Sequence, residues 1–279
     1  MKIKINKLKF NVLNDSKKKS KDKLVVVFLH GFTGSADDWK YFVDNIKNKI
    51  FPIAIDLIGH GKTSHPIECK YYSMTQIVEQ LNNIFKALNL NRIILVGYSM
   101  GGRVALSYTI KYPKKIVGLI LESTTAGIEK KNDKIARVNS DNKLAEMITK
   151  KGIEYFVKYW ITLPLFKTQK KLYKNEYLNL IGKTKSNSTI GLANSLRGFG
   201  TGKMPSYWTK LSEIKQNVLL VTGQKDEKFT EINKKMVKLI PKSNLTIIKN
   251  AGHNTHLEKP QMFLTLIKRF ILSLQNLNN

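Results

Sequence analysis

The chain has 279 residues, 42% of them apolar and 24% charged, and its 48 Lys plus Arg stand against 20 Asp plus Glu for a formal net charge of +28. That balance excludes a wholly disordered chain and suits one large α/β domain or two small ones. A single thiol, Cys69, excludes an internal disulfide and a cysteine zinc cluster and fits a reducing compartment.

The charge itself is a poor guide to a partner. Only five of the basic residues are arginine (Arg92, Arg103, Arg137, Arg197 and Arg269), and lysine is spread through the whole chain, with a modest concentration in residues 1–23. Such a distribution reads as a solvated surface. No stacking-aromatic nucleic-acid signature accompanies it, so no nucleic-acid partner is expected. An anionic small molecule would still be drawn in at long range. The sequence sets no oligomeric state beyond a monomer or small homo-oligomer.

In chain order, the amino-terminal MKIKINKLKFNVL alternates lysine with apolar residues and predicts a strand, not a signal peptide. Apolar, β-branched runs follow at residues 24–29, 50–55, 93–96, 116–121, 218–221 and 245–248. The longest spans six residues where a membrane helix needs about 20, so no membrane insertion is expected, and the location is expected to be cytoplasmic. Nearly continuous hydrophobicity marks strands buried on both faces. Helical spacing occupies residues 74–88, 100–111, 231–239 and 260–274, the second of these helices stopping at Pro113 and the last opening with Pro260. Strand and helix in alternation predict a parallel sheet covered on both faces. Residues 123–210 interrupt the alternation with helical patterns and aromatics alone, which predicts a helical cap inserted into a core formed by residues 1–122 and 211–279.

Directly after the 93–96 run stands Gly97-Tyr98-Ser99-Met100-Gly101. A GxSxG pattern arises by chance in roughly one chain of this length in ten; its place between a strand and a helix is what gives it weight, because such a turn raises the serine hydroxyl above the sheet. A serine needs a histidine to take its proton and an acid to orient that histidine. His253, in Ala251-Gly252-His253, and Asp226, in Val221-Thr222-Gly223-Gln224-Lys225-Asp226, each follow a predicted strand. The order Ser99, Asp226, His253 is the one used by strand-turn-helix serine sites. Glu227 and Glu122 are rival acids. His30 and His60 read as turn formers beside glycines, while His65 and His256 have no supporting pattern. The turn Phe28-Leu29-His30-Gly31-Phe32-Thr33-Gly34 offers the Phe32 amide, beside that of Met100, as a two-donor oxyanion hole. The glycine turn from Asp56 to Ser64 reads as structural. No dinucleotide or Walker motif and no paired metal-ligand spacing appears.

With VFLHGFTGSADDW, VGYSMGGR, YWITLPLF, GLANSLRGFGTGKMPSYW, VTGQKDEKF and AGHNTHLEKP, the chain resembles α/β-hydrolase-fold proteins from about Leu24 to Phe270. It resembles most closely the menaquinone-pathway 2-succinyl-6-hydroxy-2,4-cyclohexadiene-1-carboxylate synthase family, on the strength of GLANSLRGFGTG and of the arginine after GYSMGG. The resemblance implies a mostly parallel sheet with helices on both faces and an inserted helical cap. It also implies a lyase that expels pyruvate from 2-succinyl-5-enolpyruvyl-6-hydroxy-3-cyclohexene-1-carboxylate without metal or organic cofactor. The three carboxylates of that substrate suit bidentate cations, which makes Arg103 and Arg137 the expected clamps, with Tyr98 and Trp160 lining the pocket by similarity. Where the family carries another cap arginine, this chain offers only Lys183 and Lys185; Met204 and Ala126 stand where the family commonly has glutamine and proline. The competing readings are a cofactor-free serine hydrolase of carboxylic esters or carbon–carbon bonds and a non-catalytic basic binding module.

Overall fold

The computed structural model describes residues 1–14, 24–46, 50–172 and 174–276. Part of the lysine concentration in residues 1–23 therefore lies outside the described residues. The eight strands β1 (Lys2–Ile5), β2 (Leu8–Leu13), β3 (Leu24–Leu29), β4 (Ile50–Ile55), β5 (Ile93–Tyr98), β6 (Ile116–Glu122), β7 (Asn217–Gly223) and β8 (Ser243–Ile248) form one sheet in the order β1-β2-β4-β3-β5-β6-β7-β8. All pairings from β4 through β8 are parallel, whereas β1 with β2 and β2 with β4 are antiparallel. The one strand expected at the amino terminus is instead a hairpin. Its lysine–apolar alternation runs through both arms, and only Asn6, at φ 54°, marks the turn, since Asn tolerates the left-handed conformation that a tight hairpin needs.

The helices are α1 (Lys40–Asn45), α2 (Met74–Ala87), α3 (Met100–Lys111), α4 (Lys131–Trp160), α5 (Lys174–Lys185), α6 (Thr189–Phe199), α7 (Glu227–Leu239), α8 (Thr255–Glu258) and α9 (Pro260–Asn276). Alternate residues of each central strand serve opposite faces. Val25, Val27, Leu29, Ile93, Leu95, Leu119, Leu121 and Leu220 join a core beneath α2, α3 and α7. Val26, Phe28, Ile94, Val96, Ile120 and Val221 join a second core beneath α1 and α9. Burial of both faces is why these runs lack polar alternation.

Between β6 and β7 the described residues contain no strand. There α4 bends at Gly152, whose φ of 77° and ψ of 175° no other residue type adopts easily. Ala145, Ile148, Phe156 and Val157 of α4 pack with Leu192, Ala193 and Leu196 of α6 into a third core, which reaches Phe32 on the β3 side of the sheet. No helix among the described residues is long and apolar enough to cross a membrane.

Candidate active site

The parallel register brings the carboxyl ends of the strands to one edge. Leu29 lies beside Gly97, Tyr98 beside Glu122, Glu122 beside Val221 and Gly223 beside Ile248. Segments leaving β3, β5, β7 and β8 therefore emerge together, on both sides of the point where the strand order reverses, which is where open α/β sheets bind ligands.

Ser99 occupies the turn from β5 into α3 with φ 49° and ψ −104°. A non-glycine residue held there stores on the order of 1–3 kcal/mol, and the packing around the turn enforces it. A Cβ on Gly101 would lie 2.2 Å from the Leu29 carbonyl oxygen, so α3 seats against β3 only because that residue is glycine. The Ser99 amide donates to the Glu122 carbonyl at 2.8 Å, tying the turn to β6.

Asp226 and His253 are 5% and 2% exposed. Asp226 Oδ2 lies 2.6 Å from His253 Nδ1, and His253 Nε2 lies 3.0 Å from Ser99 Oγ. An ionised carboxylate only accepts, so Nδ1–H donates to Asp226 and the Nε2 lone pair faces the serine hydroxyl. The structure thus brings together the three residues read from the sequence, in the geometry that lets a serine surrender its proton. The amides of Phe32 and Met100 have no acceptor among the described residues, and both residues line the cavity in front of Ser99.

That cavity encloses about 950 Å³ and is walled by the strand ends on one side and by α4, α6 and the short Pro164–Lys171 helix on the other. Tyr98 and Trp160 both line it. The Tyr98 ring lies 5.4 Å from that of His253, and burial, followed by the charges of Glu122 and Asp226, drives its phenol pKa well up, so it stays protonated. Trp160 packs edge-on to Phe32 at 5.3 Å.

Arg103 and Arg137 line the same cavity. Arg103 is buried, donates through Nη1 to the Phe199 carbonyl at 2.6 Å, and sits 4.0 Å from the sulfur of Met204. No carboxylate pairs with it among the described residues. Burial, reinforced by the charge of Arg137 and offset in part by Asp141, lowers its guanidinium pKa to about 9. It remains a cation at neutral pH, desolvated and open to an anion. Arg137 donates from Nε to Asp141 Oδ1 at 2.8 Å, while Asp141 Oδ2 is buried without a partner.

Neither lysine proposed for the missing cap arginine reaches this cavity: Lys183 pairs with Asp38 at 3.2 Å and Lys185 with Glu154 at 2.6 Å. Lys143, Lys225 and Lys228 line it instead. Sequence reasoning missed them because one exposed lysine among so many carries no signal. Glu227 lines the cavity too, but Glu122, the other rival acid, is engaged elsewhere. Its side chain meets His256 Nδ1 at 2.7 Å, which gives His256 a partner that no sequence pattern announced. His30 and His60 clasp turns, as expected. His30 Nε2 accepts from the Leu57 amide at 3.0 Å, and His60 Nδ1 meets the Ile58 carbonyl at 3.0 Å. Burial and the neighbouring His30 lower the His60 pKa to about 3. The Asp56 carboxylate accepts from the amides of Ala36 and Lys62, which makes its turn a structural knot.

Residues 25–260 match the family model for the alpha/beta hydrolase fold. A Bacillus subtilis protein assigned as a 2-succinyl-6-hydroxy-2,4-cyclohexadiene-1-carboxylate synthase is 43% identical over 249 residues, covering 89% of this chain and 90% of that protein. The solved structure of MenH from S. aureus superposes with a TM-score of 0.90 at 35% identity, covering 95% of this chain and 98% of that one. An esterase from Thermogutta terrifontis, at TM-score 0.81 and 22% identity over 96% of this chain and 94% of that one, shares the fold. Identity of this extent, along nearly the whole length of both partners, goes beyond the fold: the chain belongs to the 2-succinyl-6-hydroxy-2,4-cyclohexadiene-1-carboxylate synthase family of α/β-hydrolase-fold proteins.

Proposed function

We propose that this chain eliminates pyruvate from 2-succinyl-5-enolpyruvyl-6-hydroxy-3-cyclohexene-1-carboxylate to give 2-succinyl-6-hydroxy-2,4-cyclohexadiene-1-carboxylate in menaquinone or phylloquinone biosynthesis. The observation that carries the reading is the 43% identity to the Bacillus subtilis synthase across nine-tenths of both chains. Ser99, with its Oγ 3.0 Å from His253 Nε2, passes its proton to His253 as it removes the ring proton beside the succinyl ketone. Asp226 holds the imidazole in the accepting tautomer and offsets its charge once it is protonated. Negative charge gathers on the ketone oxygen, where the amides of Phe32 and Met100 receive it. As the ketone re-forms, electrons move through the ring and break the carbon–oxygen bond to enolpyruvate. The departing enolate takes a proton and leaves as pyruvate, and the ring becomes the diene. No step calls for a cofactor or a metal.

The substrate is a small anion with three carboxylates. Desolvated Arg103, Arg137 and the lysines at the cavity rim answer that charge. In this reading residues 123–210 act as a cap that shields the dienolate from water, with residues 1–122 and 211–279 as the catalytic core. The exposed, unpaired Cys69 supports a reducing, cytoplasmic setting. Neither nucleic acid nor membrane takes part, and the chain works as a monomer or small homo-oligomer.

The test generates the enolpyruvyl substrate in place with the preceding synthase and follows pyruvate release, with spontaneous elimination subtracted. Acceleration is expected with the native chain and a loss of about 10³-fold or more with Ser99→Ala. No acceleration, with activated esters hydrolysed and a serine-directed phosphonate bound covalently, would move the function to the hydrolase reading.

A further inference from the structure

Beneath the Ser99–His253–Asp226 group lies a second buried carboxylate–imidazole pair that the reaction above does not use. Glu122, the last residue of β6, is fully buried, and His256 is 3% exposed. An ionised carboxylate at that depth costs several kcal/mol unless its lone pairs are filled. Here three donors fill them. The Thr255 hydroxyl donates to Oε1 at 2.6 Å, the His256 amide donates to the same oxygen at 2.9 Å, and His256 Nδ1 meets Oε2 at 2.7 Å.

All three donors belong to the turn that carries His253. The backbone of the same residue holds the other reactant, since the Glu122 carbonyl accepts the Ser99 amide at 2.8 Å. One residue therefore joins the nucleophile turn and the histidine turn, which lie 154 positions apart in the chain. The His256 ring extends the tie. It stacks on Trp39 at 4.1 Å and meets Tyr98 edge-on at 5.0 Å, and Tyr98 in turn faces His253.

We infer that Glu122 is a positioning residue that sets the distance between Ser99 Oγ and His253 Nε2 by clamping the Thr255–His256 turn to the end of β6. A proton transfer across 3.0 Å tolerates little drift, and a misplacement of about 1 Å from outside the reacting atoms can cost 10²-fold. Glu122→Gln keeps the shape but removes the charge, so its NH2 meets either one of the three donors or a His256 ring turned to its other tautomer, and the grip on the turn weakens.

The inference rests on the reading of Ser99, His253 and Asp226 as the reacting group, and the experiment separates the two. Pyruvate release by the full chain is measured for the native protein, Ser99→Ala and Glu122→Gln, and the low-field proton resonance of the His253–Asp226 hydrogen bond is recorded for each. Glu122→Gln is expected to lower kcat by about 10-fold or more, to leave KM within about twofold, and to shift or broaden that resonance. A carboxylate that served stability alone would lower the melting temperature without moving kcat per folded molecule or the resonance. That outcome, with Ser99→Ala inactive, overturns the inference and leaves the reaction standing. Full activity in Ser99→Ala removes the reading of the reacting group, and the inference falls with it. If Glu122→Gln does not fold, Thr255→Val deletes one donor at nearly constant volume. A kcat about threefold lower at unchanged KM supports the clamp, and an unchanged kcat and resonance refute it.

Discussion

Replacing Arg103 by methionine should make this protein more stable and less active at once. The guanidinium is buried with no carboxylate partner among the described residues, and its pKa is lowered to about 9. That lies more than three decades below the ordinary guanidinium value, which at about 1.4 kcal/mol per decade corresponds to about 5 kcal/mol. Because the folded value is depressed for a base, the cost falls on the charged form. It is present in full below pH 9 and fades as pH climbs toward the unfolded value. Methionine fills the unbranched path of the side chain without charge, but it leaves the Phe199 carbonyl, now bonded at 2.6 Å, without its donor, at about 1–3 kcal/mol. The balance is a gain of about 2–4 kcal/mol, or a melting temperature higher by about 4–8 °C for a domain of this size. Binding moves the other way. A charge-assisted hydrogen bond to a substrate carboxylate is worth about 1.5–3 kcal/mol, so kcat/KM should fall about 10- to 150-fold. Thermal unfolding at pH 7 and pyruvate release read the two effects on one preparation. A variant that melts several degrees lower, or that keeps its kcat/KM, would show that Arg103 is not a strained cation waiting for an anion.

Arg137→Ala should raise KM about tenfold or more with a smaller effect on kcat, and it should lower the melting temperature because Asp141, 4% exposed, loses its only cation partner among the described residues. Adding Asp141→Asn should restore part of that stability but not the KM, and a double variant no more stable than Arg137→Ala would discount the pairing. Glu258 accepts from the Gly252 amide and the Thr168 hydroxyl, each at 2.9 Å, yet burial raises its pKa above the ordinary carboxylate value. A raised acid pKa means that ionised Glu258 costs stability, a cost that appears as pH rises through the folded value and vanishes in acid. Glu258→Gln, whose amide can donate to Thr168 while its carbonyl accepts from Gly252, should be more stable than the native chain at pH 7. Denaturant titrations toward pH 4 should show that difference shrinking, and a constant gap would rule out ionisation as its source.

The strands and helices of the core were legible because their signals are local. Residues 24–29 and 50–55 coincide with β3 and β4, since a strand buried on both faces must be apolar throughout wherever it sits. The amino-terminal hairpin reads as one strand in the sequence because lysine–apolar alternation crosses its turn unchanged, and a lone Asn6 is a weak mark. GxSxG, with glycine where α3 presses on β3, announced Ser99 from its own neighbourhood. Asp226 and His253 were legible through their places after strands, but not their pairing. Asp226 and Glu122 both end up buried beside a histidine, and His253 and His256 stand three residues apart on one turn. Which acid faces which ring depends on how far along β6 and β7 the sheet register carries each carboxylate, and register is decided by packing across the whole sheet. The same holds for the cations. Composition supplied the charge, but only the folding of α4 and α7 against the strand ends set Arg137, Lys143 and Lys228 at the cavity while Lys183 and Lys185 went to Asp38 and Glu154. A side chain's neighbours across space are fixed by contacts that no stretch of sequence contains.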